Sequence, residues 1–527
     1  MNWRSTARVL DWAVPLGFGV TLCLCVPLRT ALEFGGDEGY ELMKGFLVSL
    51  GHPLYREVWN DQPPLHTELL ALLFRLFGPS AYVGRLLSVG FATLLVTALY
   101  RLVSERSGRV AGLVAVGLLV SASGFLELSV SVMIELPAMA LALASLWAGS
   151  NYFAGKGKRW LGFSGVLFGG ALQVKLTAAI FLPALAVEFL TRRTRLKRKV
   201  ESLDEPLSGM EARGGNDPGP LATGQKAGGD LSRRPREGGA VWTPRPTGEA
   251  AIWCGAAAAI FGIIAVAYYG ANALPVFWAS HFSAGTLKAV ASEGFGFRFD
   301  SLLNDLALLA PAAAGMALIG WKRRGDLLFP VVLLATALAI HLWHRPYWYY
   351  YGLHFAIPLA WLGAVGIVEW FRALWQLDFT ASQGSKVRAG IGVLGWSVMV
   401  SLALTLAPEK AWNALMRLAA AAPASADPRV VALRRHAAET HWVLTDRVIY
   451  AFWTDLPVPP ELAVVPSKRI WSGQINRREL ERCLERYRPE QILLEPDWIS
   501  RLGLLHYLEQ HYRPDPANSE SGLRLRR

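Results

Sequence analysis

The chain has 527 residues, 53% of them hydrophobic and only 18% charged, against about 25% charged in an ordinary soluble domain. Its formal net charge is +12, but the basic residues sit in short segments between long apolar runs. That placement excludes a nucleic-acid surface as the source of the charge, and no nucleic-acid partner is expected. Cys23 and Cys25 lie two apart on one run, with Cys254 and Cys483 far from them, which excludes a disulfide framework or a cysteine metal cluster.

An apolar run of about 18 residues crosses a bilayer as a helix, because every N–H and C=O in hydrocarbon has to be bonded within its own segment. Such runs are predicted at about 9–30, 80–103, 110–126, 131–153, 160–174, 176–190, 250–270, 301–321, 326–343, 351–371 and 389–407. The first is too long for a typical signal peptide and lacks a small-residue cleavage site, so it is read as a retained anchor. Arg4 and Arg8 precede the first run, Arg101, Arg106 and Arg109 follow the second, Lys156, Lys158 and Arg159 the fourth, and the cluster Arg192 to Lys199 the sixth. Lys322 to Arg324 follow the eighth, and Arg372, Lys386 and Arg388 the tenth. Every basic loop follows an even-numbered run, which is the positive-inside pattern. It predicts a multi-pass protein of the plasma (inner) membrane, N-terminus in the cytoplasm and C-terminal region outside.

Three hydrophilic stretches interrupt the runs. Residues 31–79 form a first outer loop, whose stretch Leu65 to Phe77 is patterned as a helix lying on the membrane surface. Residues 200–247 are rich in Gly, Pro, Glu and Arg and are expected to be a disordered cytoplasmic linker. The tail alternates helix at Arg429 to Ala438, strand at Trp442 to Leu444, helix from Asn476 to Tyr487, strand at Ile492 to Leu494 and helix from Trp498 to His511. The predicted fold is therefore an α-helical polytopic membrane protein, with a transmembrane domain over 1–410 and a small extracytoplasmic α/β domain over 411–527.

The residues able to carry chemistry gather on the outer face. Asp37 and Glu38 form an acidic pair just after the first run; a carboxylate there can take a proton from an attacking hydroxyl or ligate a divalent metal, or it can be an ordinary solvated turn. Tyr55, Trp59, Asp61, Gln62 and His66 crowd the segment before the amphipathic stretch, where aromatic residues also serve as interface anchors. Glu127 and Glu135 flank the outer ends of the third and fourth runs, and Lys175 stands between two apolar runs. A lysine there either snorkels to the headgroups or meets a lipid phosphate with its compact ammonium. His281 lies after the seventh run, and His341, His344, Arg345 and His354 surround the aromatic run Tyr347 to Tyr351, which includes Tyr349. Aromatic faces stack on sugar rings as readily as they line an interface.

These residues resemble those of the GT-C superfamily of membrane glycosyltransferases: the Asp-Glu pair, the Tyr-x-x-x-Trp-Asn-Asp-Gln-Pro-Pro-Leu segment, the following amphipathic stretch and Gly84-Arg85-Leu86. The branch most similar is the bacterial one related to protein O-mannosyltransferases and the lipid A aminoarabinose transferase, which the segment Leu172 to Thr177 and the His-rich aromatic stretch near 341–358 also fit. The resemblance spans about residues 1–410. It implies a polyprenyl-phosphate-linked sugar donor, with Asp37 as catalytic carboxylate, Glu38 its neighbour and Lys175 on donor phosphate. One position departs: the aminoarabinose transferases carry a Lys before the Pro-Pro pair, where this chain has Gln62, so Lys175 or Arg345 is expected to take more of the phosphate binding. Also expected at the site are Tyr55, Trp59, Asp61, His66, Glu135, His281, His344, Tyr349 and His354. A divalent cation is a candidate cofactor, with Asp37 and His281 as candidate ligands. The expected partners are the lipid donor, membrane lipids and an acceptor that is lipid, glycan or protein. The rival readings are a lipid-linked sugar transporter and a non-catalytic membrane assembly protein.

Overall fold

The computed structural model describes residues 3–204, 246–292, 296–322, 324–375, 383–517 and 522–527. Most of the expected linker at 200–247 lies outside them.

Helices dominate, and each predicted run coincides with one or two of them. In chain order they are α1 (Trp3–Cys25), α2 (Glu38–Ser49), α3 (Leu65–Phe77), α4 (Ala81–Ser107), α5 (Arg109–Ser121), α6 (Phe125–Val130), α7 (Glu135–Asn151), α8 (Arg159–Val174) and α9 (Leu182–Asp204). After the linker come α10 (Pro246–Ile264), α11 (Gly270–Phe282), α12 (Ala284–Ser292), α13 (Phe299–Leu303), α14 (Leu306–Lys322), α15 (Leu328–Trp343), α16 (Gly352–Trp375) and α17 (Gln383–Ala419). Four stretches, 81–107, 248–267, 325–343 and 349–372, are long and apolar enough to cross a membrane by length and composition. The last is almost wholly enclosed by its neighbours and forms the centre of the bundle, with Trp361 and Phe355 in the core. At the periphery Leu24, Val266, Trp343 and Trp375 are at least four-fifths exposed, as side chains facing lipid rather than water would be.

Small residues let helices approach closely. A Cβ on Gly165 would lie 2.4 Å from the Trp253 carbonyl of α10, and one on Gly315 would lie 2.2 Å from that of Leu362. This is the packing expected where lipid supplies no hydrophobic drive between helices.

The first outer loop contains one more helix than its sequence suggests. Two glycines in α2 hide its apolar face, yet Leu42, Met43, Phe46 and Leu47 are buried. The glycines mark contacts: a Cβ on Gly45 would meet the Leu70 side chain of α3 at 2.8 Å. The amphipathic prediction for Leu65 to Phe77 coincides with α3, which buries His66, Leu70 and Phe74 and exposes Leu72, Leu76 and Phe77.

The tail folds into α18 (Pro428–Arg435), β1 (Val443–Thr445), α19 (Val448–Phe452), α20 (Ser467–Trp471), α21 (Arg477–Tyr487), β2 (Gln491–Leu493), α22 (Pro496–Arg501), α23 (Leu505–His511), β3 (Tyr512–Pro514) and β4 (Leu523–Arg526). Its sheet has the order β1-β2-β4-β3, with the first pair parallel and the others antiparallel. Asn476 caps α21 as predicted, accepting from the Glu479 N–H at 3.1 Å. The helix predicted from Trp498 to His511 is instead two, broken at Gly503, whose φ of +63° stops a right-handed helix. The tail is docked on the first outer loop. Ile449 of α19 sits where a Cβ on Gly39 would be, Trp453 donates to the Leu32 carbonyl at 2.8 Å, and Arg447 pairs with Glu33.

Candidate active site

The turn before α2 is held by a buried clamp. Arg85 of α4 uses every N–H it has: Nε and Nη2 donate to the two oxygens of Glu38 at 2.9 Å, Nη1 to the carbonyls of Leu28 and Ala31, and Nη2 also to that of Leu32. Glu38 accepts further from the backbone N–H of Phe34 at 2.8 Å and of Val132 at 3.2 Å. Both side chains are 0% exposed. A buried ion pair is tolerated when its remaining donors and acceptors are satisfied, as here. Glu38, expected beside the reacting centre, is therefore turned into the protein, where it fixes the loop.

The clamp leaves Asp37 pointing the other way. It takes the N-cap position of α2 but makes no side-chain capping bond, so its oxygens remain available, near the partial positive charge of the helix end. Asp37 is open to solvent yet recessed among protein groups. Burial raises its carboxyl above the ordinary range, Glu41 adds to this, and Lys175, Lys468 and Lys44 pull the other way. The three lysines mark the walls of the recess.

Each lysine is positioned by a carboxylate. Lys175 approaches Glu135 at 2.5 Å and lies over the rings of Tyr350 and Tyr351 at 4.3 and 5.1 Å. Glu135 is held in turn by His354 at 2.6 Å and by the Thr177 hydroxyl at 3.0 Å, and His354 meets His341 at 2.8 Å. Lys44 donates to Glu41 at 2.8 Å and to Asn60 at 3.0 Å, with His66 3.5 Å from Glu41. Lys468, from the tail, donates to Asp61, and His281 stands 3.9 Å from the same carboxylate. Burial raises the carboxyls of Glu41 and Asp61, but their cationic neighbours more than offset it and hold both at about 2.

The other predicted residues fall into place around these pairs. Tyr55 donates to the Gln62 carbonyl at 2.6 Å, and the Asn60 amide does so at 2.7 Å, which shapes the turn ahead of Pro63. The Trp59 indole donates to Gln474 of the tail at 2.6 Å and carries Arg469 at 5.3 Å over its ring. His344 is accessible but crowded; burial first, then His281 and Lys175, lowers its imidazole below the usual range and keeps it neutral at pH 7. The Tyr349 hydroxyl lies against Gly35, just ahead of Asp37. Arg345 is exposed and lies beside Gly296. Among the described residues no three His, Cys, Asp or Glu side chains converge as metal ligands.

Lys44, Glu41 and Lys468 were not singled out in the sequence as parts of a site. The first two lie on the unrecognised helix α2. Lys468 sits in an unremarkable Ser-Lys-Arg segment of the tail, and only tertiary docking brings it to Asp61.

The model of the dolichyl-phosphate-mannose-protein mannosyltransferase family matches residues 61–204. The structure resembles that of ArnT from Cupriavidus metallidurans bound to undecaprenyl phosphate, with a TM-score of 0.54 and 13% identity over 95% of each chain. The apo form of the same protein gives a TM-score of 0.54 at 12% identity. The fold is that of the GT-C membrane glycosyltransferases. The GT-C likeness extends to the oligosaccharyltransferase of Archaeoglobus fulgidus in its apo form, with a TM-score of 0.51 and 11% identity over 92% of this chain and 69% of that one. No curated protein matches the chain. The GT-C fold covers the docked tail as well as the bundle, since the match to ArnT takes in 95% of the chain.

Proposed function

We propose that this protein transfers a sugar from a polyprenyl-phosphate carrier to a hydroxyl acceptor at the outer face of the plasma membrane. The observation that carries this reading is the recess itself: one uncapped carboxylate, Asp37, faced by Lys175, Lys468 and Lys44, in a GT-C fold. Asp37 takes the proton of the acceptor hydroxyl. The acceptor oxygen forms its bond to the anomeric carbon as the bond from that carbon to the phosphate oxygen breaks. The electron pair leaves with the lipid phosphate, and a single displacement inverts the anomeric centre. A carboxyl raised above its ordinary range is a stronger base than a free one. Lys175 and Lys468 are placed to meet the charge growing on the departing phosphate, in a recess where such charges are worth more than in water. Tyr350 and Tyr351 fix the Lys175 ammonium, and the exposed Arg345 is available to a phosphate entering from the bilayer.

The test is binding of undecaprenyl phosphate to the purified full chain in detergent. Lys175→Met and Lys468→Met each weaken it about tenfold or more, the scale of losing one charge-assisted contact, while Arg477→Gln on the exposed face of α21 leaves it unchanged. Binding that is indifferent to both lysines would remove the phosphate from this recess.

A further inference from the structure

A second cavity, of about 500 Å³, lies at the other end of the bundle and is lined by Arg106, Glu188, Arg192, Arg324 and Asp326. Helix α4 joins the two sites: Arg85 near its start clamps Glu38, and Arg106 stands near its end. At about 1.5 Å per residue the two arginines are roughly 30 Å apart, the thickness of the hydrocarbon layer. Helix α15 shows the same polarity, with His341 at the Asp37 end and Arg324 just before its first turn.

Charge in this cavity is not balanced by its own walls. Glu188 accepts from Arg106 at 2.8 Å and from Arg192 at 2.5 Å, Asp326 accepts from Arg324 at 2.6 Å, and Glu369 just beyond the lining accepts from Arg324 at 3.4 Å and from Arg372 at 2.5 Å, so four guanidiniums share three carboxylates. Arg106 is the deepest, with a side chain 5% exposed and lying 4.8 Å over the Trp361 ring. Among the described residues its Nη1 reaches the Asp326 carbonyl at 3.2 Å, and its buried Nε has no hydrogen-bond partner. Buried donors on charged groups are nearly always satisfied, and an orphan marks a missing acceptor. Arg192 and Arg324 form the more open rim, with side chains 23% and 22% exposed. From Arg192 the chain runs on through Arg193, Arg195, Lys197, Arg198 and Lys199, a basic run suited to an acidic leaflet.

We propose that this cavity binds the phosphate group of an anionic lipid from the leaflet opposite the Asp37 recess. Guanidinium forks match phosphate oxygens in pairs, the cavity opens where membrane helices end, and a basic run is drawn to an acidic surface. Free phosphate shares this chemistry, and the experiment separates the two sources.

The full chain in neutral detergent is titrated with phosphatidylglycerol or phosphatidylcholine, and retained lipid is read by native mass spectrometry. Wild type is expected to retain phosphatidylglycerol preferentially. Arg192→Gln, a rim change that keeps the thermal midpoint, should weaken retention about fivefold, and Arg192→Gln with Arg324→Gln more than tenfold. Excess inorganic phosphate is expected to leave the bound lipid in place. Equal retention of the two lipids, or a double variant indistinguishable from wild type, would overturn the proposal. Full displacement by inorganic phosphate would overturn the lipid assignment.

Discussion

Asp37 and Glu38 are neighbours in sequence and opposites in role. Glu38 is completely buried on Arg85, and Asp37 is open and uncapped. Their substitutions should therefore separate. Asp37→Asn is expected to lower kcat by about 10²- to 10⁴-fold, the usual worth of a general base, with the thermal midpoint unchanged. Glu38→Ala leaves a buried guanidinium without its anion and should cost about 3–5 kcal/mol of stability, read as a fall in thermal midpoint before any assay of activity. The direction of the Asp37 shift also fixes a pH profile. A base whose carboxyl is raised loses activity as pH falls through that raised value, so the acid limb of kcat should have its midpoint above about 4, the free aspartate value. An acid limb at or below that value would mean that the recess does not desolvate Asp37.

Runs of apolar residues made the membrane helices legible, because one solvent imposes one pattern along the whole run. The surface helix α3 and the Asn476 cap were legible for equally local reasons. Helix α2 was not, since Gly39 and Gly45 are there for what they touch, Ile449 and Leu70, and those partners lie elsewhere in the chain. Asp37, Lys175, Glu135, His281 and His354 could be proposed from residue type and side of the membrane. That His354, Glu135 and Lys175 form one chain of contacts could not, because 219 residues separate the ends of the bond between His354 and Glu135. Strands β3 and β4 were missed because Arg and Pro dilute their alternation. The docking of the tail gives two predictions at this scale. Gly39→Leu should drive a side chain into the Ile449 backbone, which already lies 3.0 Å from where a Cβ would be, and should expose the tail to proteolysis. The link between Asp61 and Lys468 should also be acid-labile. Asp61 is held at about 2 when folded against about 4 when free. A depressed carboxyl contributes stability that is complete above the free value and is lost as pH falls through the folded one. Amide exchange in α20 should therefore accelerate as pH drops from about 4 to about 2, after correction for intrinsic rates, and less so in Asp61→Asn.

At the scale of the whole molecule, the bundle sets two charged sites about one hydrocarbon thickness apart. Asp37 and the docked tail lie at one end and the Arg106 cavity at the other. The positive-inside pattern predicts the first on the outside and the second in the cytoplasm. Cysteine introduced at Leu505, exposed on α23, should react with an impermeant maleimide in intact cells, and cysteine at Arg192 should react only after the membrane is opened. The reverse labelling would invert the orientation. Lys468 also makes the site a joint product of bundle and tail, so removal of the tail should abolish transfer even where the bundle still folds.

The most direct test of the central claim is turnover. Purified full-length protein is given a radiolabelled polyprenyl-phosphate hexose with lipid and glycan acceptors, wild type beside Asp37→Asn. The account predicts sugar release or transfer that depends on Asp37, with free polyprenyl phosphate as co-product. Donor that binds to both proteins and leaves unchanged, across several sugars and acceptors, would contradict it and favour a carrier of lipid-linked sugar.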